Sequence, residues 1–534
     1  MPVVKINGTE VEVPDGTNMI EAASQIGVEI PHYCYHPHLT VAGNCRMCLV
    51  DIEAGGRGPD IACNMVARDG LAIRTDTDQV VQMRKSVMEF LLVNHPLDCP
   101  ICDQAGECRL QDYYMDYGAY ESRLRDSKVA KAKRQDIGTG LVLDSERCVQ
   151  CSRCVRFGDE VTETGELRLF NRTDHTQIGV FPGTKIEHSY QGCLADVCPV
   201  GALTLKDFRF EKRVWYLRET PSVCDGCATG CNIRVCHQQG EVFRYLPRRN
   251  DAVNKSWMCD PGRKRYKNLA PEGRVLRSRI DGAPATVDEA LTSTAHTLRQ
   301  VSSDKGAASI GLVLGARGTN EGNWALLQAI RANFPEARVF TCEGNDPEAF
   351  EYHDELLVSH DKNANTVGTR LLRQSQEGIE NREALSAALT AGDLGALLVL
   401  QDDVLGRLGL DAVPGLIYLG TRINGSSQAA QVVLPVAAHV EVDGSFTNGT
   451  GRVQRLRMAM PPRGDSRPGY ELATLLGAAL GTAPDTGSAS RAFGALAAVV
   501  PAYQGLSLDG LGAQGQQAQA PAAEAEASPT PTEA

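Results

Sequence analysis

Thiols at short fixed intervals hold soft metal centres, and this chain presents four such runs. The first is Cys34, Cys45, Cys48 and Cys63, spaced C-x10-C-x2-C-x14-C. The second is His95, Cys99, Cys102 and Cys108, spaced H-x3-C-x2-C-x5-C. The third is Cys148, Cys151 and Cys154, with Cys198 later in Cys198-Pro199. The fourth is Cys224, Cys227, Cys231 and Cys259, spaced C-x2-C-x3-C-x27-C. Of the 18 cysteines only Cys193, Cys236 and Cys342 lie outside these runs. The chemistry offered is one-electron transfer through iron–sulfur clusters. Zinc competes for every C-x2-C pair, most seriously in the fourth run. Four runs in one chain suggest a conductor of electrons rather than a single redox site.

Several elements must position these ligands. Residues 2–13 alternate apolar and polar around Asn7-Gly8, a two-residue hairpin signal. Asn18 and Glu21 fit a capping box for a short helix ended by Gly27. Hairpin, helix and cysteine loop together look like the β-grasp fold of plant-type [2Fe–2S] ferredoxins, although the first gap is longer than theirs. Val80, Met83, Val87 and Leu91 mark one face of a helix, and Pro96 ends it near His95. A lone histidine is usually an ordinary polar residue; three cysteines in the next thirteen positions argue for a ligand.

The third run reads by subtraction from the bacterial two-cluster ferredoxin pattern, C-x2-C-x2-C-x3-C-P repeated twice. Gly158 replaces the fourth cysteine of the first repeat, and His188, Gln191 and Leu194 stand at three positions of the second. One cluster's thiols are therefore missing, and Cys198 crosses over to complete the other. Cys193, one position off register, reads as a buried spectator. Residues 212–217 read as a strand entering the fourth run. Residues 263–510 look α/β, with strands at 310–315, 394–400 and 432–435 and a helix over 325–334. From Leu511 onward the chain is Ala-, Gln-, Pro- and Glu-rich and reads as disordered.

Bulk properties exclude other classes. Net charge is −12 and aromatics are 5%, a poor match to nucleic acid. The start lacks an apolar leader and no apolar run approaches a membrane span, so a soluble chain made in a reducing cytoplasm is expected. Cysteines there mean metal or redox chemistry, not disulfides. No Walker A loop, G-x-G-x-x-G fingerprint or Ser–His–Asp grouping is visible. No FMN, NAD or catalytic residue is therefore expected, and hydride chemistry belongs to a partner. The basic stretch 122–136 reads as a solvated linker, with an interaction strip as the alternative.

Five stretches carry a family resemblance: Cys34-Tyr35-His36-Pro37; Gly43 to Val50 around Cys45 and Cys48; His95-Pro96-Leu97-Asp98-Cys99-Pro100-Ile101-Cys102; Glu107-Cys108; and Cys198 to Leu203. Together they resemble the iron–sulfur G-subunit family of bacterial NADH-quinone oxidoreductase, respiratory complex I. A weaker likeness to molybdopterin oxidoreductases rests on Val432 to Pro435, Glu441 to Asn448 and Gly451 to Gln454. The resemblance implies a [2Fe–2S] cluster on the first set and [4Fe–4S] clusters on the other three. It implies electrons arriving from a flavin- and NADH-binding chain, a neighbouring [2Fe–2S] chain, and onward passage toward quinone-site chains, on the cytoplasmic side of the bacterial membrane. No nucleic acid is expected, and the membrane is met only through the complex.

The expected layout is multidomain, α/β and α+β. It comprises a [2Fe–2S] ferredoxin-like β-grasp domain (1–79), a [4Fe–4S] segment with one histidine and three cysteines (80–121), a ferredoxin-like [4Fe–4S] domain (140–211), a [4Fe–4S] domain of molybdopterin-oxidoreductase type (217–273), a truncated molybdopterin-oxidoreductase-like domain without its cofactor (274–510), and a tail (511–534). Cys342 reads as structural, not as a molybdenum ligand. The rival readings are the catalytic chain of an NAD-linked formate dehydrogenase, an iron-only hydrogenase, and a zinc scaffold.

Overall fold

The computed structural model describes residues 1–53, 58–119, 121–171, 173, 175–346 and 349–519. The chain divides into two compact units, Met1–Leu217 and a second from Arg218 onward. The fourth cysteine set therefore belongs to the rear unit. The reason lies in its loop. Ala228 N donates to Asp361 O (2.9 Å), Gly449 N to Ala228 O (2.6 Å), and the Gln454 amide to Gly230 O (2.8 Å).

The first unit opens with the hairpin Val3–Ile6 and Thr9–Glu12. Its turn residues Asn7 and Gly8 have φ of 51° and 88°, the positive values that match strand twist in a two-residue turn. A five-stranded sheet follows in the order Thr9–Glu12, Val3–Ile6, Ala72–Arg74, Leu49–Ile52, Asp60–Ile61, with Val3–Ile6 parallel to Ala72–Arg74. Helix Met19–Gln25 buries Met19, Ile20, Ala22 and Ala23 against Val4, Ile6, Val50 and Ile73. Asn18 caps it by accepting from Ile20 N, and its own amide donates to Cys63 O at 2.6 Å. One side chain thus starts the helix and fixes a cysteine of the first set.

Helix Asp78–Leu92 forms where expected, but its fully buried face is Val80, Arg84 and Met88, while Met83 is exposed. An arginine goes inside because both of its terminal nitrogens are answered. Arg84 gives hydrogen bonds to Thr75 O (2.9 Å), Tyr117 Oη (3.0 Å) and Leu49 O (2.7 Å). The basic stretch is not a free linker. Lys128 Nζ donates to Leu92 O and Val93 O at 2.9 Å, a cation at a helix C-terminus. Lys133 pairs with Asp98 (2.6 Å) and Glu146 (2.7 Å).

Strands Gln135–Asp136, Leu141–Leu143 and Leu203–Leu205 make a small antiparallel sheet. Between the last two the chain forms helices Arg153–Glu160 and Gln191–Val197. The strand expected over 212–217 is a 3₁₀ turn, Val214–Tyr216. Arg213 holds it on the second cysteine loop by donating to Cys102 O (2.6 Å) and Pro100 O (2.5 Å).

The rear unit begins with the antiparallel strands Arg218–Val223, Asn232–Gln238 and Glu241–Pro247, the fourth set's loop joining the first two. Next comes an eight-stranded sheet in the order Ala283–Ala285, Ser278–Ile280, Val432–Pro435, Leu416–Gly420, Ala396–Leu400, Ile310–Leu314, Arg338–Thr341, Ile379–Glu380. The six strands from Ile310 to Pro435 are parallel and, numbered along the chain, stand in the order 3-2-1-4-5-6 of a doubly wound sheet. Helices Val287–Lys305, Asn320–Asn333 and Gly469–Leu480 cover Leu312, Leu314, Leu398 and Leu434 on one face. Leu385, Val404 and Leu405 cover Val313, Phe340, Leu397 and Val399 on the other. Strands buried on both faces carry the near-continuous apolar runs seen in the sequence.

The tail begins later than expected. Leu511 is buried, and Gln516–Gln517 pairs with Arg452–Leu456. Residues 520–534 lie outside the described residues.

A Cβ on Gly315, at the end of the first parallel strand, would stand 1.8 Å from Leu400 O. Gly315→Ala is expected to leave little soluble chain on expression. Gly494→Ala, in an open helical position with nothing within 4 Å, is expected to raise the unfolding temperature by a gain of roughly 0.5–1 kcal/mol.

Glu321 is fully buried, and burial pushes its carboxyl from 4.5 to about 7. The unfolded chain releases this proton first, so the rear unit loses stability as pH rises from about 4.5 to 7. Glu321→Gln is expected to unfold at a higher temperature than the native chain at pH 8, and at nearly the same temperature at pH 5.

Candidate metal centres

In the first set the Cys34 sulfur meets those of Cys45 and Cys63, and the Cys63 sulfur also meets that of Cys48. The N–H groups of Cys45 and Asn44 aim at the Cys34 sulfur and that of Met47 at Cys45, because Arg46 takes φ 59° and curls the loop inward. Hydrogen bonds from Cys45 and Cys63 hold Cys34 well below the usual thiol range, while its bond to Cys34 pushes Cys63 up. Four crowded thiols cannot all ionise by themselves. A cationic iron centre removes that conflict by taking thiolates as ligands.

In the second set, Cys102 and Cys108 are buried and Cys99 is exposed. Burial pushes Cys108 up to about 11, and the N–H groups of Gln111 and Leu110 face its sulfur. His95 follows the end of helix Asp78–Leu92, its N–H on Leu92 O at 3.2 Å. Burial, then the nearby Lys128 and Arg147, lower its imidazole to about 4, so it is neutral at pH 7. Among the described residues its ring nitrogens have no hydrogen-bond partner, which leaves them free to ligate. Gly201 is required here, since a Cβ on it would lie 2.3 Å from Cys102 Sγ.

The third set folds as a loop with Gln150 and Ser152 at φ 53° and 61°, turning backbone N–H groups onto sulfur. Gln150 N donates to Cys148 Sγ at 3.3 Å, and the N–H groups of Val200, Leu203 and Ala202 face Cys198. Burial pushes Cys148 up to about 12 and Cys198 to about 11. Protein fills the positions where a second ferredoxin cluster would have ligands. Gln191 accepts from Gly140 N (3.0 Å) and donates to Thr139 Oγ1 (2.9 Å), and Leu194 and Cys193 are buried.

These three sets converge. Cys34, Cys108 and Cys151 share one apolar cluster with Tyr33, Met47, Met88 and Tyr113, and Cys45, Cys148 and Cys198 pack against it. Two arginines stitch the first set to the third. Arg153 donates to Tyr35 O and to Val197 O (3.4 Å), and Arg156 to Cys34 O (2.6 Å) and Cys151 O (3.4 Å). Sequence reasoning missed both. The signal was their position: Arg153 stands between two cysteines of the third set, on the buried face of a short helix, and Arg156 two residues beyond.

In the fourth set, Cys224 N donates to Cys231 O (2.9 Å) and Gly262 N to Cys259 Sγ (3.3 Å). Lys362 Nζ lies 4.4 Å over the Phe350 ring, and Cys227 and Cys259 act on its charge. Asp225 and Arg265 form a two-pronged pair behind the loop, one arm at 2.6 Å. Among the described residues, no group of three or more His, Cys, Asp or Glu is arranged as for one bound metal ion.

Family descriptions match in series along the chain. Residues 3–78 match "2Fe-2S iron-sulfur cluster binding domain", and 84–123 match "NADH-ubiquinone oxidoreductase-G iron-sulfur binding region". Residues 138–204 match "NADH-quinone oxidoreductase subunit 3, ferredoxin-like domain", and 217–267 match "NADH-ubiquinone oxidoreductase NDSU1/NuoG-like, 4Fe-4S domain". The chain is homologous to the G subunit of NADH-quinone oxidoreductase. The G subunit of Rickettsia bellii is 40% identical over 309 residues, 57% of this chain and 45% of that protein. That of Streptomyces coelicolor is 40% identical over 300 residues, 55% of this chain and 36% of that protein. That of Mycobacterium tuberculosis is 37% identical over 337 residues, 62% and 42%. The matches thus span less than half the length of these relatives. A chain of an NAD+-reducing [NiFe]-hydrogenase superposes with a TM-score of 0.36 at 24% identity, over 40% of this chain and 91% of that one, which is too loose to bear on the fold.

Residues 416–478 match "Molybdopterin oxidoreductase". The ligand crevice of a doubly wound sheet lies beyond the strands' carboxyl ends. Here Arg317, Gln401, Asp402, Asp403, Arg422 and His439 line a cavity of about 50 Å³ at that place. Small-molecule pockets run to roughly 300–1,000 Å³, so a pterin dinucleotide does not fit these residues as they stand.

Gly201→Ala is expected to lower the iron content of the purified chain by roughly the four irons of one [4Fe–4S] cluster. Iron analysis beside far-ultraviolet circular dichroism checks this, because the spectrum should stay native.

Proposed function

We propose that this chain relays electrons, one at a time, as the iron–sulfur subunit of the peripheral arm of a proton-pumping NADH:quinone oxidoreductase. The observation that carries the reading is the shared apolar cluster joining ligands of three cysteine sets. A relay needs its centres close together and shielded from water. In this reading Cys34, Cys45, Cys48 and Cys63 hold a [2Fe–2S] cluster. Three [4Fe–4S] clusters sit on His95, Cys99, Cys102 and Cys108; on Cys148, Cys151, Cys154 and Cys198; and on Cys224, Cys227, Cys231 and Cys259. The clusters supply reversible one-electron redox chemistry.

The residues supply the rest. Backbone N–H groups aimed at sulfur stabilise the thiolates, and buried side chains exclude water. The neutral His95 imidazole leaves its centre one negative charge short of an all-thiolate one, which favours the reduced state. Electrons would arrive from a flavin- and NADH-binding subunit and leave toward quinone-site subunits at the cytoplasmic face of the membrane. No described helix is long and apolar enough to cross a membrane. The four iron–sulfur family matches and the G-subunit relatives support this reading. A formate dehydrogenase would need room for its pterin, and the rear crevice has space for a few waters.

Iron analysis with EPR on the reduced chain is expected to give about fourteen irons, one [2Fe–2S] signal and three [4Fe–4S] signals. Zinc without paramagnetism would refute the reading. His95→Cys is expected to keep its iron and to lower the potential of that one centre. An unchanged potential would show that His95 is not a ligand.

A further inference from the structure

The sheet order of the rear unit marks a place where a ligand would be gripped, and its own side chains occupy that place. Arginines that could hold phosphates are answered from within the chain. Arg317 pairs with Asp346, Asp346 with Arg407 (2.9 Å), and Arg407 with Asp402 (3.1 Å). Arg265 pairs with Asp225. Arg422 and His439 stand 3.9 and 3.8 Å from the same Asp225 carboxylate, and His439 Nε2 meets the Tyr245 hydroxyl at 3.4 Å.

Asp225 follows Cys224 directly, so the network reaches the fourth cysteine loop. The place a Cβ on Gly226 would take is 2.8 Å from Arg265 Cδ and 3.3 Å from Cys224 Sγ. The arginine stem therefore lies against the turn that carries this sulfur. Gly262 is similarly close, its Cβ place 3.1 Å from Cys259 Sγ and 3.4 Å from Cys224 Sγ.

We propose that the crevice at the carboxyl ends of the rear sheet is not a cofactor site but an ion-pair clamp on the 224–231 loop. Asp225 and Arg265 are its positioning residues and set the charge beside the Cys224 sulfur. This rests on the reading of the fourth set as a cluster site. The Asp225 carboxylate adds a negative charge near that centre and disfavours its reduced form, and Arg265 offsets it. The two side chains therefore push the potential in opposite directions.

The test is a potential-controlled EPR titration of the full chain reconstituted with iron and sulfide. Asp225→Asn is expected to raise the midpoint of the fourth centre and Arg265→Gln to lower it. Each should change the oxidised-to-reduced ratio at fixed poise by on the order of tenfold. Arg422→Gln, at the rim of the crevice, is the fallback if Arg265→Gln misfolds, and is expected to lower the midpoint by less. Shifts of one sign in all variants, or none, would overturn the clamp while leaving the cluster reading intact. A native chain without the fourth signal would overturn both. GDP and inorganic phosphate are expected to show no saturable binding to the native chain by calorimetry. Binding that Arg317→Gln abolishes would make the crevice a ligand site and overturn the proposal.

Discussion

A thiolate inside an apolar core is tolerated only when its charge is answered, and this constraint shapes both units. Burial, and after it neighbouring cysteines, push Cys108, Cys148, Cys198 and Cys259 upward to about 11 or 12, so each would keep its proton without help. Help comes from backbone N–H groups turned onto sulfur, and a metal would take the thiolate rather than the thiol. The left-handed residues Arg46, Gln150 and Ser152 serve this end, because only such a turn points successive N–H groups toward one sulfur. Much of the surrounding structure exists to hold those turns in place.

Cations near the sulfurs are tied to protein acceptors. Arg84, Arg153 and Arg156 donate to carbonyls of the first set's domain, and each thereby links separate stretches of the first unit. Lys128 ends the helix that precedes His95, and Lys133 joins Asp98 to Glu146. Positive charge placed in this way favours anionic clusters and joins loops that have little secondary structure of their own.

The fourth set follows a different plan. Its loop is held by Asp361, from the doubly wound part of the chain, and by Asn448 and Gln454, from the small antiparallel sheet that follows it. The rear unit acts as the scaffold for this set, and its crevice is filled by ion pairs reaching Asp225. Such a network accounts for the arginines and acids that line a crevice too small for a dinucleotide.

The four cysteine runs and the α/β character of the rear were legible in the sequence, because thiol spacing and buried-strand runs are local patterns. Asn7-Gly8, the Asn18 cap and the Val432–Pro435 strand were legible for the same reason. The inward face of helix Asp78–Leu92 was not. Hydrophobicity pointed to Met83, while burial went to Arg84, whose acceptors on Thr75, Tyr117 and Leu49 come from other elements. The 212–217 stretch has strand composition but is claimed by carbonyls of the second cysteine loop. Strand order, the convergence of three sets on one core and the pairing of Asp225 with Arg265 likewise depend on residues far apart in the chain. The sequence by itself determined which atoms could bind metal. Only the tertiary structure decided which of those sets share a core, because that depends on long-range packing and on where buried charges find partners.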